Sequence, residues 1–150
     1  MNDLTIRSFH ARDIPAVLEV QKSNRQAAQW LQSAYEHLEK AGENAWVAER
    51  NGALVGFLVA RVASDEMEIL NVAVSANAHR QGIGRELLQH AISWAEEQDV
   101  SRVFLEVRSS NTAATKYYEA NGFSQTGIRP KYYSDPVEAA FLLAKSLDRK

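Results

Sequence analysis

Between Met67 and Gln98 the hydrophobic pattern changes period once, and few chain arrangements allow that. Met67 to Val74 reads as a strand. Gly82 to Gln98 instead carries Ile83, Leu87, Leu88, Ala91, Ile92, Trp94 and Ala95 on one helical stripe. A strand, a tight loop and an amphipathic helix therefore come in order, and the helix must fold back on the strand to bury its stripe. At the junction stand Gly82 and Gly84, with Arg80, Gln81, Ile83 and Arg85 around them. Two glycines one residue apart let the backbone approach a ligand without Cβ interference. The free N–H groups of a helix start carry partial positive charge suited to a diphosphate, and Arg80 and Arg85 add charge at the rim. The same residues also describe a plain strand-to-helix turn. A dinucleotide fingerprint is disfavoured because Leu87 occupies the third glycine position, and no Lys-Ser/Thr pair succeeds the glycines as a phosphate loop of the P-loop kind demands.

The rest of the chain supplies further strands and helices. Leu4 to Phe9 alternates as a half-buried strand, and Asp13 before Ile14-Pro15 marks a helix start. Apolar positions from Ala16 to about Lys40 predict two helices, with a break in the polar stretch Gln21 to Gln29. Asn51-Gly52 is a strong hairpin signal between Ala45–Arg50 and Ala53–Val62. Val103–Val107 reads as a strand, Asn111–Glu119 as a short helix, and Asn121-Gly122 as a left-handed helix stop. Phe123–Ile128 and Ala139–Leu147 close the chain as strands around the polar segment Arg129–Glu138. This order predicts an α/β (mixed α+β) fold, with helices flanking a mixed sheet. With 150 residues, short connections and no repeat or linker, residues 1–150 read as a single domain.

Composition removes several function classes. Cysteine is absent, which excludes disulfides, thiolate zinc sites and a cysteine-bound acyl intermediate. Seventeen basic against nineteen acidic residues, a formal charge of −2, argue against a nonspecific grip on nucleic acid. No apolar run approaches the ~20 residues that span a bilayer, and Met1 to His10 has no signal-peptide core, so a soluble cytoplasmic protein with no membrane partner is expected. His10, His37, His79 and His90 lack metal-ligand spacing and no Gly-x-Ser-x-Gly elbow occurs, so neither a metal nor serine-hydrolase chemistry is expected. Trp30, Trp46 and Trp94 read as core or rim packing.

With these residues in view, the chain resembles the GNAT superfamily of N-acyltransferases. The superfamily's signature, Gln/Arg-x-x-Gly-x-Gly/Ala, aligns its glycines with Gly82 and Gly84 but has His79 at its first position, where Arg80 is a candidate substitute. Leu105–Asn111, Tyr118–Phe123 and Ile128–Tyr133 are most similar to the ribosomal-protein-alanine N-acetyltransferases. The resemblance implies a splayed, mostly antiparallel sheet of six to seven strands with about four helices, and acetyl-CoA as co-substrate. It also implies pantetheine binding along Val72, Ala73 and Val74, a base at Glu106, a general acid at Tyr118 and a cofactor contact at Asn111. Tyr132 and Tyr133 are candidates for an acceptor groove.

The chemistry asks for such groups independently. An amine attacks a thioester only when unprotonated, so a carboxylate acting directly or through water suffices as base, and the leaving thiolate needs a proton that a phenol can give. By residue type alone, Glu106 reads first as a solvent-facing residue of an edge strand or a partner of Arg108 or Arg102, and Tyr118 first as a core aromatic, while Tyr132 and Tyr133 read equally as exposed loop residues; the surrounding motif turns Glu106 and Tyr118 toward function. The resemblance then implies acetyl transfer to an amine by direct attack in a ternary complex, the acceptor being a protein N-terminus. A small-molecule amine acetyltransferase and a noncatalytic CoA-binding module are the alternatives, in a monomer or homodimer.

Overall fold

A computed structural model describes residues 3–24, 27–79, 81–134 and 137–147. The strands are β1 (Leu4–Ser8), β2 (Glu43–Arg50), β3 (Ala53–Ala63), β4 (Glu66–Val74), β5 (Arg102–Arg108), β6 (Ser124–Ser134) and β7 (Val137–Ser146). The helices are α1 (Ile14–Lys22), α2 (Gln32–Glu36), α3 (Ile83–Glu97) and α4 (Thr112–Ala120). The seven strands form one sheet in the order β1-β2-β3-β4-β5-β7-β6. Every neighbouring pair is antiparallel except β4 with β5, which is parallel.

Both faces of the sheet are covered, which explains the nearly continuous apolar run of β3. On one face Leu58 and Met67 pack with Ile83, Leu87 and Leu88 of α3. On the other, Phe57 and Val59 pack with Val17 of α1 and Tyr35 of α2. Asn51 and Gly52 both adopt positive φ (53° and 79°), matching the turn that a two-residue hairpin favours. At the sheet's outer edge Arg7 of β1 grips Asp13 through two hydrogen bonds of 2.9 and 2.8 Å and also reaches Glu49 at 2.7 Å. Asp13, itself buried, also accepts from the His10 amide at 2.8 Å. The Arg7 hydrogen bond dominates and holds the Asp13 carboxyl below the usual carboxylate range, against the opposing effect of burial.

Two elements depart from the sequence reading. The second helix is confined to Gln32–Glu36, well short of Lys40. The segment Arg129–Glu138, expected as a polar connection, is mostly strand, because β6 runs on to Ser134 and β7 begins at Val137. Register shifts between Arg129 and Tyr133 absorb Pro130 and the left-handed Lys131 (φ 54°), so a sequence that looks broken stays paired.

Candidate active site

The site originates in a flaw in the sheet. β4 and β5 pair only at Glu66↔Arg102, Met67↔Val103 and Glu68↔Phe104, after which β4 continues to Val74 and β5 to Arg108 without pairing. Where the gap opens the β3–β4 register slips: Ala60 faces Ile69 while Val59 faces Asn71, leaving Leu70 as the extra residue of a bulge. That extra residue reverses the facing of the downstream half of β4. Met67 and Ile69 join the core under α3, whereas Ala73 joins the core under α1. Val72 and Val74 now pack toward α3.

Peptide direction is set by the same alternation. The Ser75 amide donates to Val55 of β3 at 2.8 Å, so Ser75 and Ala73 serve the β3 ladder while Val72 and Val74 turn their N–H and C=O groups into the gap. The Val74 carbonyl accepts from Asn24 Nδ2 at 2.7 Å and lies 2.8 Å from His79 Nε2. That nitrogen also faces Asn24 Oδ1 at 3.1 Å, and two acceptors require it to be the protonated one. His79, first in the glycine signature, is thus turned back toward β4.

Across the gap α3 is entered through its N-cap Gly82, whose φ of 78° is a left-handed geometry that favours glycine. The first intrahelical bond is Glu86 N–H to Gly82 C=O at 3.0 Å, and among the described residues no side chain caps this end. The amides of Ile83, Gly84 and Arg85 are therefore left for a ligand, in the arrangement that binds diphosphates. The Gln81 side chain accepts from Arg50 Nη1, away from the cleft, leaving its backbone for any ligand role. Arg80 lies outside the described residues.

A cleft of about 790 Å³ runs along this gap, lined by Val72, Ala73, Val74, the first turn of α3, and Tyr117 and Tyr118 of α4. A second cleft lies on the other side, lined by Asn24, Gln29, Leu70, Glu106, Asn111 and Tyr133 among others. Val72, Ala114 and Tyr118 line both clefts. Tyr118 is only 6% exposed, held edge-on against Tyr117 and Phe123 with ring centroids 5.1 and 5.4 Å away. Burial, with a smaller push from Tyr117, raises its pKa, so the phenol keeps its proton through the physiological range.

Glu106 stands on β5, an interior strand between β4 and β7, with a side chain 13% exposed. Its neighbours differ from both bland expectations. Arg102 pairs with Glu66 and Arg108 with Glu138, while Arg129 of β6 brings Nε to 3.3 Å from Glu106 Oε2. That approach lacks hydrogen-bond geometry, and Oε2 is buried without a hydrogen-bond partner. The carboxylate is thus shielded, charge-compensated and still able to accept a proton. Glu68 has its pKa raised by burial above all, with Glu106 adding to the rise and Arg61 and Arg129 opposing it.

Asn111 caps α4, its Oδ1 accepting from the Ala114 amide at 3.2 Å, and faces the Glu106 cleft. The tyrosine pair divides. Tyr133 lines the Glu106 cleft with the Arg108 guanidinium 4.2 Å over its ring, whereas Tyr132 is 48% exposed beneath Arg129 and lines neither cleft. Sequence reasoning missed Arg129 and Glu138. Glu138 of β7 accepts from the Ser110 amide at 2.5 Å and Ser109 Oγ at 3.2 Å, latching the loop that precedes α4. These hydrogen bonds, Ser110 foremost, hold its carboxyl below the usual range.

The chain belongs to the Acetyltransferase (GNAT) family, whose model matches residues 6–123. It is an N-acetyltransferase in fold and in family. Among its relatives, the [ribosomal protein bS18]-alanine N-acetyltransferase of Escherichia coli (strain K12) is 34% identical over 142 residues, 93% of this chain and 95% of that one. The crystal structure of the ribosomal-protein-S18-alanine N-acetyltransferase from Escherichia coli matches with a TM-score of 0.87 at 32% identity, covering 98% of this chain and 96% of that one. Ard1 from Thermoplasma volcanium matches with a TM-score of 0.89 at 30% identity, over 99% of this chain and all of that one. The sheet expected from the resemblance, mixed, splayed and mostly antiparallel, is the one found, with seven strands and four α-helices among the described residues. Among the described residues no helix is long and apolar enough to cross a membrane.

Proposed function

We propose that residues 1–150 act as one catalytic domain that transfers an acetyl group from acetyl-CoA to the α-amine of a protein N-terminus, such as the alanine terminus named for the Escherichia coli relative. The observation that carries the reading is Tyr118, which lines the α3 cleft and the Glu106 cleft together. A group that must serve both a thioester and an incoming amine has to stand where two such spaces meet.

The residues present fit the carrier. The peptide groups of Val72 and the N–H of Val74, turned into the gap, suit the amides of a pantetheine arm as an added strand would, while the Val74 carbonyl is already held by Asn24 and His79, and the free amides of α3 suit the diphosphate. Bound there, acetyl-CoA supplies the activated acetyl group. Glu106 takes a proton from the ammonium form of the acceptor, directly or through water, since an α-amine of pKa ~8 is mostly charged at neutral pH. The amine nitrogen forms a bond to the acetyl carbon as the carbon–sulfur bond breaks, the Tyr118 hydroxyl gives its proton to the departing sulfur, and the second proton shed by the nitrogen passes through water to the tyrosinate and restores the phenol. With no cysteine in the sequence, transfer proceeds directly, without an acyl-cysteine intermediate. The cytoplasm, where acetyl-CoA is made and ribosomes assemble, is the compartment this chemistry fits.

Turnover with a peptide bearing a free N-terminal alanine, set against the same peptide N-terminally blocked, spermidine and an aminoglycoside, tests the acceptor class. The free N-terminus should be preferred by at least about tenfold in kcat/KM. Turnover confined to the small amines would refute a peptide acceptor.

A further inference from the structure

Among the described residues two shielded side-chain polar atoms have no hydrogen-bond partner: Glu106 Oε2 and the hydroxyl of Tyr117. The first belongs to the proposed base, and the second has no part in the acetyl-transfer chemistry. Tyr117 lies on α4 with its ring against Tyr118 at 5.1 Å, and its carbonyl accepts from Asn121 Nδ2 at 2.8 Å, so backbone and ring are both held. The hydroxyl rests against the first turn of α3. A Cβ built on Gly84 would lie 3.5 Å from it and 3.7 Å from Val74 Cγ2, which puts the phenol beside the uncapped amides. Burial pushes its pKa up to about 12 while nearby Arg85 pulls the other way, so it stays a donor at any working pH.

Packing does not explain the oxygen. A phenylalanine would keep the ring contacts and avoid hiding a donor that bonds to nothing, a choice that is unfavourable for the free protein. A buried donor next to free amides and an arginine makes sense if an anionic acceptor arrives to use it.

We propose that Tyr117 is a cofactor-binding residue whose hydroxyl donates a hydrogen bond to a diphosphate oxygen of the bound carrier, completing the cradle begun by the amides of residues 83 to 85. This rests on the reading that the cleft takes acetyl-CoA, and it adds a neutral side-chain donor to the backbone amides and the neighbouring Arg85.

Tyr117→Phe tests it, with calorimetric affinities for coenzyme A and for ADP, a probe that carries the diphosphate without the arm, and with the thermal midpoint of the free protein. Affinity for both probes should fall about tenfold, the usual worth of one hydrogen bond to a charged acceptor. The free protein's midpoint should be unchanged or higher, because the deleted hydroxyl has no partner there. Three results would overturn the proposal: affinity within about twofold of the parent, a lowered midpoint accompanying the loss, which marks a structural role, or weaker coenzyme A binding with ADP unaffected, which moves the contact to the arm. Failure of the unmodified protein to bind coenzyme A would overturn the acetyltransferase reading as well.

Discussion

Replacing Tyr118 with phenylalanine separates chemistry from packing more cleanly than any other change in this site. The ring sits edge-on to Tyr117 at 5.1 Å and to Phe123 at 5.4 Å, and phenylalanine keeps both contacts and leaves no cavity. Stability should change by less than about 1 kcal/mol, a midpoint shift under about 4 °C for a chain of this size. Turnover should fall at least about 10²-fold, or about 2.7 kcal/mol of barrier, the lower end of what a positioned general acid contributes. Coenzyme A affinity should hardly move. Because the protein contains no cysteine, a thiol-reactive dye can track coenzyme A release without background from the enzyme. Tyr118→Ala is the contrasting case, since it opens a cavity in the core under α3, costs about 3–5 kcal/mol and lowers the midpoint by about 6–20 °C. If Tyr118→Phe turns over within about threefold of the parent with the same peptide, the phenol is not the acid and the mechanism fails.

Glu106→Gln should lower kcat/KM by about 10²-fold near neutral pH and recover part of it above pH ~8, where the acceptor amine is already free; a profile parallel to the parent's would remove Glu106 as base. Asp13 has a lowered folded-state pKa, so its stabilisation is present above the unfolded value of about 4 and is lost as pH falls below it; Asp13→Asn should lose about 2 kcal/mol at pH 7 and show a shallower acid decline in denaturant midpoints, and equal declines would contradict the Arg7 pairing. Asn71 donates to Tyr35 Oη and to the Ala28 carbonyl, both at 3.1 Å, so Asn71→Leu should cost about 1–3 kcal/mol in urea unfolding and raise KM for the peptide more than for acetyl-CoA, since Ala28 borders the Glu106 cleft; an unchanged peptide KM would argue against a role for that wall.

The features legible in the sequence were local. Asn51-Gly52, the stripe of α3 and the left-handed stop at Gly122 (φ 93°) each state their conformation within a few residues, and each was found where expected. The functional residues named from the family resemblance fall in or beside the two clefts, apart from Tyr132 and the Gln81 side chain, with Arg80 outside the described residues. The hidden features are nonlocal. Nothing near Leu70 announces that it is an unpaired residue, because a bulge exists only relative to the partner strand. Arg129 could not be matched with Glu106, since the register of β6 on β7 and of β7 on β5 brings them together, and the two nearer arginines were the obvious choices. Pro130 and the polar residues after it suggested a loop, and only the pairing of Tyr133 with Glu138 and of Ser134 with Val137 keeps them in a strand.

The brief seam between Glu66–Glu68 and Arg102–Phe104 has a wider implication. It is the sheet's narrowest joint, so the molecule without its carrier resembles two half-sheets sharing a hinge. An arm lying along Val72 and Val74 would supply rungs the polypeptide omits, making the substrate a temporary part of the scaffold. Amide exchange in β4 and β5 should then slow on loading and quicken on release, so that each catalytic cycle tightens and loosens the fold itself.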